Sequence, residues 1–203
     1  MKERAVEYMA GEKYIVAALD HSVQIAVRNI LNPMGYVFQE RCSDPVALLR
    51  LTRSYHPDFI IVDSGMQVSE VRSTLEAVDE QMLCAVIILG EYKDPAILSM
   101  MEKYRTLSFC PKPLNRDLLL HTVDMALLNH RRLLEMDAKL RKITESYEGR
   151  KRVELAKTLL MQDGLSESEA YGVIRKRSMD ERKSMKSIAD SIIYEKRKNN
   201  LKE

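Results

Sequence analysis

The sequence has no tryptophan, three phenylalanines, seven glycines and six prolines in 203 residues. So little turn chemistry argues against an all-β design and in favour of helix. The three cysteines, Cys42, Cys84 and Cys110, are far apart, form no C-x-x-C pair and leave an odd count. That excludes a disulfide framework and points to reduced thiols in a cytoplasmic protein. No apolar run approaches membrane-spanning length, and the N-terminus lacks a signal-type apolar core, so no membrane partner is expected. An excess of one charge is missing too: 32 Lys+Arg face 30 Asp+Glu, a net +2, so the whole chain is no polycation. His21, His56, His121 and His130 are scattered, and none falls near a Ser, Cys or carboxylate in a recognised motif, which argues against an independent enzyme.

The charge is nevertheless unevenly placed. Residues 133–203 carry 17 Lys+Arg against 13 Asp+Glu, a net +4, and the remainder carries 15 against 17, a net −2. A polyanionic partner is therefore expected at the C-terminal third.

The first half alternates two periods. "KYIVAAL" (13–19), "YVFQER" (36–41), "DFIIVD" (58–63), "CAVIIL" (84–89) and "LSFC" (107–110) read as strands, the first, third and fourth with the continuous apolar runs of buried parallel strands. Between them, "SVQIAVRNILNPMG", "DPVALLRLTRSY", "EVRSTLEAVDEQM" and "DPAILSMMEKYR" read as helices, and "PKPLNRDLLLHTVDMALL" follows the last strand. Asp44 before Pro45 is an N-cap followed by proline at the first helical position, and Pro33 and Gly35 stop the first helix. Five strands alternating with five helices predict an α/β fold with a doubly wound five-stranded parallel sheet. Ligand chemistry in such sheets sits at the C-terminal strand ends, which carry Asp20, Asp63, Gly90 and Lys112.

Residues 12–128 resemble a bacterial two-component receiver domain, a flavodoxin-like fold. "PDFIIVDSGM" resembles the segment holding the phospho-accepting aspartate, here Asp63, and "SFCPKPLN" the segment holding the receiver lysine, here Lys112, with its Lys-Pro step, expected to be cis. Phe109 falls at the aromatic switch position. Two departures from that pattern matter. Ala18 and Leu19 stand where a pair of metal-binding carboxylates is expected, with Asp20 one position late. Gly90 stands where a hydroxyl residue is expected. Mg²⁺ needs hard oxygen ligands, so the expectation is a degenerate receiver that keeps the fold, with Asp63 and Lys112 left as an ion pair and no cofactor. Mg²⁺ would enter only if the receiver were active, with Asp20 and Asp63 as its ligands.

From Leu118 to Tyr147 there is neither Pro nor Gly. Leu119, Ala126, Leu133, Leu140 and Tyr147 recur every seven residues, and Thr122, Asn129, Met136 and Ile143 form the companion row. This is the alternation of a coiled coil, densest from Leu133 to Tyr147. The flanking positions Arg131, Arg132, Glu135, Asp137, Lys139, Arg141 and Lys142 are charged, which leaves a narrow apolar stripe. Residues 129–149 are thus predicted to be a coiled-coil helix of a parallel homodimer. Its seam is Asn129, Leu133, Met136, Leu140, Ile143 and Tyr147, Asn129 sets the register, and Gly149 marks a bend or junction.

Residues 150–198 read as three short helices. "RKRVELAKTLLMQD" places Val153, Ala156 and Leu160 on one face and projects Arg150 and Lys157 together from the next. Gly164 ends it. Ser166-Glu167-Ser168-Glu169 opens the second helix as a capping box, with Ala170, Val173 and Ile174 inward. "ERKSMKSIADSIIYEK" is the third, with Met185, Ile188, Ala189, Ile192 and Ile193 inward.

This segment resembles the ANTAR module of the AmiR and NasR antitermination regulators. The resemblance is carried by "RKRVELAKTLLM", "GLSESEAYGVIRKRSM" and "MKSIADSII". Arg150, Val153, Glu154, Ala156, Lys157, Leu160, Met161, Gly164, Ser166, Glu169, Ala170, Arg175, Ser178 and Met179 fit its pattern, and Thr158 replaces a usual Gly. The resemblance implies an RNA-binding antiterminator whose dimer takes tandem hairpins in a leader mRNA. Arg150, Lys157, Arg175, Lys176, Arg177, Arg182, Lys183 and Lys186 form the expected phosphate-contacting surface. A sensor kinase or a sequestering regulatory protein would provide the input. The competing expectations are a phosphorylation-controlled regulator using Asp63, a DNA-binding response regulator, and a protein-interaction scaffold.

Overall fold

A computed structural model describes residues 11–66, 68–92 and 94–199. The chain divides into two compact units, one ending at Glu135 and one beginning at Met136.

The first unit is a five-stranded parallel sheet in the order β2-β1-β3-β4-β5. Its strands are β1 Lys13–Ala17, β2 Val37–Cys42, β3 Phe59–Asp63, β4 Ala85–Gly90 and β5 Leu107–Pro111. The crossover helices are α1 His21–Leu31, α2 Pro45–Tyr55, α3 Val68–Glu80 and α4 Pro95–Lys103, and α5 starts at Arg116. A strand whose two faces are both covered must be apolar on both, and β3 and β4 are buried at every position. One face of the sheet packs a core around Ile15, Ile60, Val86, Leu48 and Leu75, and the other a core around Val16, Ile61, Ile87, Leu31 and Val123. The helices begin where the sequence predicts. Asp44 and Asp94 cap α2 and α4 through backbone N–H groups of Val46, Ala47 and Ala96, each with proline next.

Register brings the strand ends together. Asp63 pairs with Leu89, and Gly90 with Pro111. The Lys112 N–H donates to the Gly90 carbonyl at 2.8 Å, and the Ser64 N–H to the Leu89 carbonyl at 2.8 Å. Asp63 and Lys112 are thereby held side by side, and the Lys112–Pro113 peptide is cis.

α5 runs continuously from Arg116 to Gln162. Gly149, expected to mark a bend or junction, lies inside it. One glycine costs a helix about 1 kcal/mol relative to alanine, too little to break a run flanked by good helix formers. The seven-residue rows also divide differently from expectation. Leu119, Thr122 and Ala126 are buried in the first unit, and the exposed stripe begins further along.

In the second unit, the end of α5 packs with α6 Glu167–Asp180 and α7 Met185–Asn199 around Ala156, Ile174, Ile188, Ala189, Ile192 and Ile193. The Ser166 capping box forms in full: the Ser166 N–H donates to Glu169 Oε2 at 2.8 Å, and the Glu169 N–H to Ser166 Oγ. Val173, expected inward with Ala170 and Ile174, is instead exposed. The third helix starts at Met185 rather than 181, because α6 extends to Asp180 and closes with a Schellman turn. The Lys183 N–H reaches the Ser178 carbonyl at 3.1 Å and the Arg182 N–H the Met179 carbonyl at 3.3 Å, with Arg182 left-handed at φ +52°.

Candidate functional site

At the C-terminal edge of the sheet, Asp63 is buried and its Oδ1 ion-pairs with Lys112 Nζ. Asp20, the other carboxylate expected there, caps α1 by accepting from the Ser22 N–H at 2.7 Å. Hydrogen bonds from Ser22 hold its carboxyl below the ordinary range, and Lys112 adds in the same direction. Ala18 is fully buried and Leu19 exposed, and neither offers oxygen from its side chain. Among the described residues, no three His, Cys, Asp or Glu side chains come together as a metal site. These residues do not fit a Mg²⁺ ion: one carboxylate faces an ammonium, and the other holds a helix end.

Gly90 is fixed by its neighbours. A Cβ built on it would collide with Ile97 Cδ1 and stand 3.2 Å from Ser64 Oγ. The space a hydroxyl residue would use is therefore filled by Ile97. Gly90→Ser is expected to destabilise the first unit by about 1–3 kcal/mol, as overpacking does. Ile97→Val in the same chain should recover part of that, read by urea unfolding.

The cationic residues of the second unit fall into two groups. Lys157 is only 7% exposed. Its Nζ donates to Glu167 Oε1 at 2.7 Å and to the two Glu154 oxygens at 3.0 and 3.1 Å. These bonds raise the Lys157 pKa, the one to Glu167 most, and the same contact lowers that of Glu167. Lys157 therefore ties α5 to the first turn of α6 rather than projecting beside Arg150. Arg177, half-buried, pairs with Glu181 at 3.3 Å and Glu195 at 3.4 Å, and Lys183 pairs with Glu181 at 2.9 Å. Lys186 lies 3.8 Å from Glu148. Among the described residues, no carboxylate lies within ion-pair distance of Arg150, Arg175, Lys176 or Arg182, and all four are exposed. Lys142 and Lys151 of the same unit are likewise exposed and, among the described residues, in no ion pair, and exposed cations without a carboxylate partner are available to an external anion.

Arg182 stands out further, because it takes the left-handed turn position where glycine is favoured. Arg182→Gly is expected to stabilise the second unit by about 0.5–1 kcal/mol, the backbone relief being partly offset by a looser unfolded chain. Chemical denaturation would measure it.

Residues 141–193 match the model of the ANTAR domain. The chain carries an ANTAR domain.

The match begins within α5 and ends within α7, so the ANTAR domain here includes the Lys157 tie, both groups of cations and the α6–α7 turn. The transcriptional regulatory protein PdtaR of Mycobacterium tuberculosis is 20% identical over 182 residues, 89% of each chain. The aliphatic amidase regulator of Pseudomonas aeruginosa is 32% identical over 113 residues, 53% of this chain and 56% of that one. Among solved structures, the chemotaxis response regulator CheY4 of Vibrio cholerae superposes with a TM-score of 0.51 at 21% identity, covering 58% of this chain and 99% of that one. The signal receiver domain of a modulated diguanylate cyclase from Desulfovibrio desulfuricans does so with a TM-score of 0.52 at 15% identity, covering 59% and 96%. The sheet and its helices are a receiver fold, joined through α5 to the ANTAR domain. Among the described residues no helix is long and apolar enough to cross a membrane.

Three interactions that matter were not foreseeable from the sequence. Glu154 and Lys157 share a helix face, as their three-residue spacing announces, but nothing in the sequence aims Glu167 at the same ammonium. The left-handed turn at Arg182 carries no glycine to signal it. Ile97 reaches Gly90 only once α4 is packed on the sheet.

Proposed function

We propose that this chain is a non-enzymatic, RNA-binding transcription antiterminator that works as a homodimer. Its ANTAR domains take tandem hairpins in a leader mRNA, one per protomer, and hold an antiterminator fold of that RNA. The observation that carries this reading is the group of exposed cations on the ANTAR domain that, among the described residues, no carboxylate pairs, Arg150, Arg175, Lys176 and Arg182 among them. Phosphate oxygens supply the missing counter-charges, and arginine planes stack on and hydrogen-bond the splayed bases of a hairpin loop. Arg177, Lys183 and Lys186 are secondary contacts whose existing ion pairs must open first. Two domains on one dimer raise the effective concentration of the second hairpin. The aliphatic amidase regulator and PdtaR, both named as regulators, are consistent with this role.

The receiver fold is, on this reading, degenerate. Asp63 is paired with Lys112, and the metal-binding carboxylates are missing, so charge on an incoming phosphoryl group would be poorly neutralised. Input then comes from a partner protein that covers the ANTAR domain rather than from a sensor kinase, and the protein acts in the cytoplasm.

The deciding experiment measures binding of the purified full chain to a two-hairpin leader RNA, a one-hairpin RNA and duplex DNA at low and physiological salt. Preference for the two-hairpin RNA supports the reading, preference for the duplex makes the chain a DNA-binding regulator, and no salt-sensitive binding to any of them leaves a protein scaffold. Stoichiometric phosphorylation of Asp63 after acetyl phosphate and Mg²⁺, read by mass spectrometry, would sink the degenerate receiver.

A further inference from the structure

The ANTAR domain contains a notch of about 360 Å³ where α5, α6 and α7 meet. Gly149, Arg150, Val153 and Glu154 of α5 form one wall, Tyr171 of α6 a second, and Met185 and Lys186 of α7 the third. Its size falls in the usual range for small-molecule sites, about 300–1,000 Å³.

Three observations bear on what fills it. Tyr171 is nearly half exposed and, among the described residues, stacks on no other ring. Part of its ring is therefore open to a ligand. Arg150 and Lys186 line the notch with positive charge, and Glu154, held by Lys157, adds an acceptor to the lining. The third observation is Gly149. A glycine inside a long helix is destabilising relative to alanine. Here neither backbone nor packing requires it: its φ is not left-handed, and an added Cβ would make only ordinary contact, 3.9 Å from Lys186 Cβ and Cδ. What the missing methyl does provide is bare backbone on the notch wall, the usual reason for glycine where a ligand approaches closely.

We propose that this notch receives one unstacked nucleobase of the bound RNA, stacked on Tyr171, with its edge against Gly149 and Glu154 and its phosphates toward Arg150 and Lys186. Stacking on an aromatic ring flanked by cations is how single-stranded nucleic acid is held. Glu154 can only accept, so the base presents an N–H edge to it. The inference rests on the RNA-binding reading and adds the place where a base is read.

The test uses the full chain and a two-hairpin RNA carrying 2-aminopurine at each loop position in turn. One loop position is expected to quench strongly with the wild-type chain and with Tyr171→Phe, and to lose that quench with Tyr171→Ala, whose affinity falls about 5- to 150-fold. Gly149→Ala is expected to raise the thermal midpoint and yet weaken binding. A merely structural glycine would not separate those two readouts. If Tyr171→Ala and Gly149→Ala bind and quench as the wild type does, while Arg175→Ala weakens binding, the notch is empty in the complex and the inference falls, with RNA binding intact. If the wild-type chain binds no RNA, the reading beneath it falls as well.

Discussion

A chain carrying Leu140→Glu and Ile143→Lys is expected to sediment as a monomer and to bind the two-hairpin RNA about 10²–10⁴-fold more weakly, while its affinity for a one-hairpin RNA stays unchanged. Met136, Leu140, Ile143 and Tyr147 are 61, 63, 65 and 68% exposed, which is unusual for a regular apolar stripe on a helix. The residues between them are mostly charged and partly satisfied within the helix, as in the Arg141–Asp137 pair at 2.8 Å. On the proposed reading, a second copy of the same stripe covers these side chains in the way a two-stranded coiled coil does. Because Leu119, Thr122 and Ala126 are spent on the receiver fold, the available seam is short, from Leu133 to Tyr147, with Asn129 exposed just before it. Two heptads are a modest interface. The unbound dimer is therefore expected to dissociate on dilution and to be restored by two-hairpin RNA. The one-hairpin control separates a loss of avidity from damage to the RNA-binding surface itself. Unchanged two-hairpin affinity in the double variant would overturn the dimer.

How much of this was visible in the sequence depends on the range of the interaction. Strands, helices and caps follow from local rules. The runs around Ile60 and Ile87, the aspartate-proline starts of α2 and α4 and the Ser166 capping box each lie within a few residues of what they control. The ANTAR pattern was legible for the same reason, being a fixed spacing along short helices. Side-chain commitments were not. A lysine on a helix surface reads as solvated until the fold brings a glutamate from another helix to it, as Glu167 comes to Lys157. A heptad row does not say where one partner ends and the next begins, and the same period serves Leu119 against the sheet and Leu140 in the open. Gly149 read as a break because glycine usually ends helices, whereas a long helix can absorb one.

Lys157→Met and the pair Arg175→Ala with Lys176→Ala are expected to fail in opposite ways. Lys157 holds Glu154 and Glu167 together across two helices, so its removal leaves two carboxylates facing each other and lowers the thermal midpoint of the ANTAR domain. At a temperature where Lys157→Met remains folded, its salt slope should match the wild type. Among the described residues, Arg175 and Lys176 have no side-chain hydrogen bond or ion pair, so removing both should shift stability by less than about 0.5 kcal/mol. It should weaken RNA binding at every salt and flatten the plot of log K against log salt by about 0.7–0.9 for each phosphate left without its cation. The pH dependence gives an independent sign. Glu167 titrates lower in the folded chain than in the unfolded one, so its contribution is present above the ordinary carboxylate pKa and disappears as pH falls through the lowered value. Lys157 titrates higher, so its contribution is present below the ordinary lysine pKa and disappears as pH rises through the raised one. Stability of the wild-type ANTAR domain should therefore drop at both extremes, and Lys157→Met should flatten both limbs. A folded Lys157→Met chain with a reduced salt slope would instead make Lys157 bind phosphate directly, its glutamates giving way to the RNA.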